Sequence, residues 1–414
     1  MMFSAFVTAA VAFGGPATWL IDDDGGPGVA FTDLPAAVAA ASDGDVLLVR
    51  PGTYSGFTTG GKSLRILATD LLSPPAVGAS SFPGPSTADA FVQGLNFLSG
   101  PGQAAGLVSG GGRTTFADCS FFGGVGATGL RVDGGAATLE RCLMIGGPSA
   151  VAGGTGAHCI GGGTIAFDLS TILGGFGLSS AFTVGVGGHA LFVDGGTASG
   201  TRSSLFGGGV PIVFGSSATA GDGLRVQSGF ARLAGESFDV VAGGGAFGIV
   251  GAGVATTPGA GVRTSAGGSA EIHGALFVLG GEGVIAGAGP DYAGLGATAG
   301  PALPRLEVTG DVTAAGVMTV QLELAPPLAP FAMILAFGPA FAVPVPLPLA
   351  GDFMLDATAV AGVFGMTDAI GGAAFSGSFG TLDAGFVGTP LHLQSGTFDG
   401  GQWRVSNPVI HFLR

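Results

Sequence analysis

Between Gly106 and Gly281 the chain writes one pattern six times: a short apolar strand, a glycine corner, a second strand and a closing Gly-Gly pair. GLVSGGGRTTFADCSFFGG begins at Gly106 and GLRVDGGAATLERCLMIGG at Gly129, and further cycles begin at Gly156, Gly188, Gly223 and Gly261. The interval lengthens from 23 to 38 residues, and no cycle holds a segment long enough for a crossover helix. Propeller blades need four strands at a steadier period, and helical or leucine-rich repeats have other patterns. The remaining solution is a parallel β-helix, in which each cycle is one coil stacked on the last and one corner bulges freely.

Stacking predicts ladders at roughly 4.8 Å spacing. Leu107, Leu130 and Leu224 are expected in one inward ladder, and Phe116 and Leu139 in another. Cys119 and Cys142 are expected beside the second, with Leu169 next after a one-residue shift. Counting back from the closing glycines puts Asp118 and Arg141 at one place on adjacent coils, with Asp168 continuing the row. Residues of about 45–300 should then make roughly eight coils, about 40 Å long.

Composition agrees. Glycine fills 84 of 414 positions while charged residues are only 10 %, which suits short strands joined by tight turns. The net charge of −14, with Lys62 the only lysine, excludes nucleic acid as a partner, because phosphates need a clustered basic surface. The uncharged run Leu324–Gly351 carries Pro326, Pro327, Pro330, Pro339, Pro344, Pro346 and Pro348, so it reads as no transmembrane span. Residues 1–17 read as a secretory signal ending in small residues, although a basic n-region is missing. The other reading is a buried first strand.

The segment Phe31–Ala68 resembles the opening of right-handed β-helix proteins of the pectin lyase-like superfamily. It offers a short amphipathic helix at Leu34–Ser42 with Thr32 or Asp33 as N-cap, and a Gly44–Asp45 turn. A strand Val46–Val49 and a Pro51–Tyr54 corner follow. The resemblance covers residues 18–300 and implies a right-handed parallel β-helix whose helix caps the open end of the stack. That superfamily holds lyases, hydrolases and non-catalytic surface proteins. After Gly300 the period stops, and residues 301–414 read as alternating strands of an antiparallel β-sandwich-like domain. Its expected role is to cap the second end of the stack or to link it to a partner. The fold class expected is therefore all-β.

The active-site patterns of that superfamily are not legible. Apart from Asp22–Asp24 the aspartates are scattered, and the Gly188–His189 pair is followed by no Arg-x-Lys clamp. Asp22–Asp24 reads as a solvated turn and not a calcium loop, because its spacing fits no calcium motif. Cys119, Cys142 and Cys159 read as buried free thiols and not a metal site, even with His158 beside Cys159. Stretches such as GGGRTTF are corners, since no G-K-[ST] follows.

In GLRV the Leu and Val face inward, so Arg131, Arg225 and Arg263 face outward, with His158 at the equivalent place. Such a column is commonly a solvated face. It is also the candidate binding set of this chain, suited to a carboxylated or hydroxylated glycan. The function expected is an exported, non-catalytic surface, matrix or adhesion module touching polysaccharide or cell-surface components, with no cofactor and no metal. The alternative is a polysaccharide lyase or glycoside hydrolase with an atypical site.

Overall fold

The computed structural model describes residues 16–178, 185–211, 218–235, 239–247, 256–274, 276–281, 290–294, 296–300, 305–309, 317–323, 325–336, 349–350, 361–378, 390–399, 402–406 and 409–412. Residues 1–15 of the expected leader lie outside this set.

Among the described residues from Thr18 to Gly300 every strand pairs parallel, with one isolated antiparallel bridge between Ser109 and Gly134, and the coils have three faces. The first face is a run of eleven rungs. It begins with Thr18–Ile21, Val46–Val49, Arg65–Ala68, Asp89–Gln93, Arg113–Ala117, Ala136–Glu140 and Thr164–Asp168. It continues through the second halves of Leu191–Thr201 and Leu224–Gly235, then Gly268–Gly274 and Ala297–Gly300. The second face runs from Ser80–Pro83 through Gly106–Ser109, Leu130–Asp133 and Ala157–Ile160 to Val262–Thr264 and Tyr292–Ala293. The third face is a nine-stranded sheet from Thr53–Tyr54 to Phe277–Leu279. The stack is thus a parallel β-helix, and its first face is longer than the eight coils expected: ten rungs run from Val46 to Gly300, and Thr18–Ile21 adds one before them.

The apolar core runs inside the coils. Leu47, Ile66, Val92, Phe116, Leu139, Phe167, Gly200, Leu233 and Ile272 form one continuous inward column. Gly200 is required there because a Cβ would meet the Phe167 ring at 2.2 Å. Phe82, Phe97, Phe116 and Phe121 pack with centroids 4.9–6.2 Å apart, four of the five contacts edge-on, as aromatic quadrupoles favour.

The other expected ladder needs correction. Leu130 and Leu224 do share an inward column, through Ala157 and Leu191, but Leu107 pairs with Arg131 and its own place is taken by Gly106. Phe121 fills the space in that coil, and a Cβ on Gly106 would meet its ring at 2.6 Å. The slip is absorbed at the next corner, where Gly110–Gly112 make a three-residue turn and Gly134–Gly135 a two-residue one. Leu169 likewise is not the successor of Cys142. It follows Arg141 at the corner, while Ser170 succeeds Cys142 and accepts its backbone N–H at 3.1 Å. Asp168 therefore stands beside Glu140, one place before the row in which it was expected.

The closing Gly-Gly pairs have a reason beyond turning. From Gly147 on, the described glycine pairs that follow the third face and precede the second hydrogen-bond to one another in alternation. Gly154 N–H donates to Gly147, Gly175 to Gly154, Gly188 to Gly175, Gly208 to Gly188, and Gly221 to Gly208, at 2.7–2.9 Å. A Cβ on Gly208 would lie 2.0 Å from the Gly175 oxygen, so only glycine fits at that position of the seam.

The opening segment is tied by side chains. Asp33 caps the helix Leu34–Ala40, which ends before the expected Ser42 and buries Leu34, Ala37 and Val38 in the same cluster as Ile21 and Leu47. Gly44 is not its C-terminal stop. Lys62 is, donating through Nζ to the carbonyls of Val38, Ala39 and Ala41 at 2.8–2.9 Å. Asp22 pairs with Arg50 at 2.7 Å, and Asp23 accepts the Thr53 N–H at 2.7 Å. The carboxylates of Asp22–Asp24 come within 4.8 Å of one another, but those of Asp22 and Asp23 are already used by Arg50, the Asp24 N–H and the Thr53 N–H.

Beyond residue 305 the described strands pair antiparallel, except Leu349–Ala350, which lies parallel to Gln402–Val405. Val317–Glu323 lies between Arg305–Thr309 and Ala373–Ser378. Pro330–Ala336 lies between Ala361–Met366 and Pro390–Asp399, and the last strand, Val409–Phe412, pairs with the latter. Among the described residues no helix is long and apolar enough to cross a membrane.

Candidate functional site

The second face carries the site. Strand Leu130–Asp133 alternates, so Leu130 and Val132 are fully buried while Arg131 and Asp133 face out. Register then places His158, Phe192, Arg225 and Arg263 successively over Arg131. All four candidate residues, Arg131, His158, Arg225 and Arg263, fall in one outward column. Phe192 was missed, although the VDGG at Val193–Gly196, matching Val132–Gly135, marks it as the counterpart of Arg131.

The column is stacked edge-out. The His158 ring lies over Phe192 at 4.8 Å with a 14° tilt, and the Arg225 guanidinium lies 5.9 Å from the Phe192 centroid. Ring faces are thus turned to neighbouring rungs, leaving electropositive edges to meet a ligand. Arg131 Nη2 donates to Asp133 at 2.8 Å. Beside it, a groove of about 400 Å³ is lined by Ser81, Gln103, Ser109, Arg131 and Asp133 among others.

His189, which the sequence offered only as a Gly-His pair without a clamp, and Asp222, which it did not single out, lie just before the strands of this face. Asp222 is buried. It accepts Arg263 Nε at 2.9 and 3.0 Å and the Ala260 N–H at 2.8 Å. The backbone N–H of Asp222 donates to His189 Nδ1 at 2.9 Å. Burial pushes the His189 pKa down to about 4 against the pull of the Asp222 carboxylate 3.5 Å away, with Arg225 and Arg263 adding to the depression. Burial also lowers the pKa of His158, with Arg131 adding to it. Both imidazoles are therefore neutral near pH 7.

Arg131 Nε, His158 Nε2 and Arg225 Nε are buried atoms with no hydrogen-bond partner. Native folds seldom leave such groups unpaired.

A second polar cluster lies at the corner between the first and third faces. Asp118, Glu140 and Asp168 are interleaved with Arg141 and Arg202. Burial raises the Glu140 pKa to about 8, against the pull of Arg141, and its Oε2 has no partner. Asp118 and Asp168 are held by arginines, and Asp168 also by Thr201 at 2.7 Å. This is an ion-pair ladder between coils.

The three cysteines are buried and free. Cys159 turns inward to the carbonyls of Gly163 and Thr197, on the opposite side of its strand from His158, so the two do not form a ligand pair.

No known protein family and no curated protein matches the sequence. Among solved structures, the enzymatically active domain of tailspike protein 4 of bacteriophage CBA120 is similar at 12 % identity and a TM-score of 0.21. The match covers 89 % of this chain and 63 % of that one, so the chain spans less than two thirds of the tailspike domain's length. The fold assignment rests on the strand pairing given above.

Proposed function

We propose that this chain is an exported, non-catalytic β-helix module of a cell surface or matrix, and that it binds polysaccharide along the column from Arg131 to Arg263. The observation carrying this reading is the set of three unpartnered buried nitrogens on one face, each on a different coil. Coils repeat at roughly 4.8 Å, so these nitrogens, from Arg131 to Arg225, are spread over three rung steps and roughly 14 Å, a geometry suited to a linear polymer rich in polar groups. A small ligand would satisfy only one rung. In this reading residues 18–300 are the binding domain and residues 301–414 a second domain that anchors or caps it.

The test is a glycan array probed with the wild type and with Arg131→Ala/Arg225→Ala, alongside a reducing-end assay on the same glycans. The reading predicts binding that the double variant loses, with no new reducing ends. Release of reducing ends would favour the cleaving alternative, and the absence of any bound glycan would remove the reading.

A further inference from the structure

We infer that Arg225 and His189 form an oxyanion subsite, which takes a carboxylate or sulfate group borne by the ligand. For the molecule that carries the anion, the inference rests on the polysaccharide reading. The subsite itself rests on geometry.

His189 Nδ1 accepts the Asp222 backbone N–H at 2.9 Å, so in the neutral ring the hydrogen sits on Nε2. Nε2 lies 3.3 Å from Arg225 Nη1, which can only donate. Two donors therefore converge and neither satisfies the other. Arg225 Nε is buried without a partner, and among the described residues no carboxylate pairs with this guanidinium. Its neighbours differ, since Arg131 is paired with Asp133 and Arg263 with Asp222. In a chain of net charge −14, Arg225 is thus a cation of this face left without a counter-charge.

The surroundings hold both donors in place. Asp222 fixes the imidazole from behind, and Phe192 supports Arg225 on one side and packs against His189 at 5.6 Å. An oxygen placed between Nε2–H and Nη1–H would accept from both, and a charged one adds a charge-assisted bond to the guanidinium. A neutral hydroxyl could accept but would leave the charge uncompensated. The subsite therefore selects acidic over neutral units.

The experiment follows the His189 ring nitrogens by NMR in protein labelled with ¹⁵N-histidine, at constant ionic strength. The probes are methyl galacturonide, methyl galactoside 6-sulfate and neutral methyl galactoside. The inference predicts a saturable shift of Nε2 with at least one anionic sugar, which tells carboxylate from sulfate, and a far weaker response to the neutral one. Arg225→Gln should weaken anion binding roughly tenfold, the scale of one charge-assisted hydrogen bond. Arg225→Lys should retain part of it. Equal response to all three sugars, or an unchanged response in Arg225→Gln, would overturn the subsite. So would no saturable shift at all, even if the array shows glycan binding elsewhere on the column.

Discussion

Arg141 donates through Nε and Nη2 to both carboxylate oxygens of Asp118 on the preceding coil, at 2.7 and 3.1 Å. The two sit at one corner, each in the left-handed backbone region, with φ of 53° and 51°. Arg141 also touches Glu140, so it serves two acidic side chains. A cycle of Asp118→Asn, Arg141→Gln and the double variant should give a coupling of about 0.5–1 kcal/mol by chemical denaturation, as for partly exposed pairs. The charge swap Asp118→Arg/Arg141→Glu should recover only part of its loss, since Glu140 Oε1 would then lose the donor that Arg141 supplies. Strict additivity in the cycle would contradict the contact.

The next residue of that corner row is Leu169, with φ 49° and its side chain exposed. For a leucine this backbone conformation costs about 1–2 kcal/mol, and no burial is gained there. Leu169→Gly should therefore be neutral or raise the melting temperature, against the usual direction for Leu→Gly. A clear loss of stability would mean that Leu169 is packed.

The glycine seam separates two kinds of glycine. Gly162 has φ 80° but open space around its missing Cβ, so Gly162→Ala costs only backbone strain of about 1 kcal/mol. In Gly208→Ala the new methyl group would meet the Gly175 oxygen at 2.0 Å, and both strands of the seam must part. Gly208→Ala should lower stability several-fold more than Gly162→Ala, or prevent folding. Equal effects in thermal denaturation would contradict the seam.

His189 and Glu140 shape the pH dependence in opposite senses. The unfolded chain protonates His189 near 6.5 and the folded one near 4, so its contribution is complete above about 6.5 and is lost as pH falls through 4. Glu140 is held protonated by the fold to about 8, against 4.5 unfolded, so its contribution is complete below 4.5 and is lost as pH rises through 8. Between 6.5 and 8 only Glu140 titrates of the pair. Glu140→Gln should flatten the decline in melting temperature there, and His189→Gln should flatten the acid limb. A decline above pH 6.5 that survives in Glu140→Gln would show that Glu140 is ionised in the fold.

Much of this was legible in the residues, because stacking turns sequence periodicity into contact. The closing Gly-Gly pairs set the coil length, and the same counting placed Asp118 beside Arg141 and gathered Arg131, His158, Arg225 and Arg263. Counting failed where a corner changed length. Gly110–Gly112 hold one residue more than Gly134–Gly135, which moved Leu107 out of the Leu130 column. The roles of His189 and Asp222 escaped because they depend on loop ends before the strands, where no alternation pattern exists. Glu140 escaped because its burial arises from neighbouring coils that its own cycle does not show.

The fold, the column and the binding proposal all depend on one register, in which His158 and Phe192 are outward neighbours although 34 positions apart in the chain. Oxidative cross-linking of His158→Cys/Phe192→Cys tests it directly, with His158→Cys/Leu191→Cys as the control because Leu191 faces inward. Adjacent rungs at roughly 4.8 Å fall within disulfide reach. Mass spectrometry of the unreduced protein should find the two introduced thiols joined in the first variant and separate in the second. A link in the control, or none in either, would contradict the register and remove the column with it.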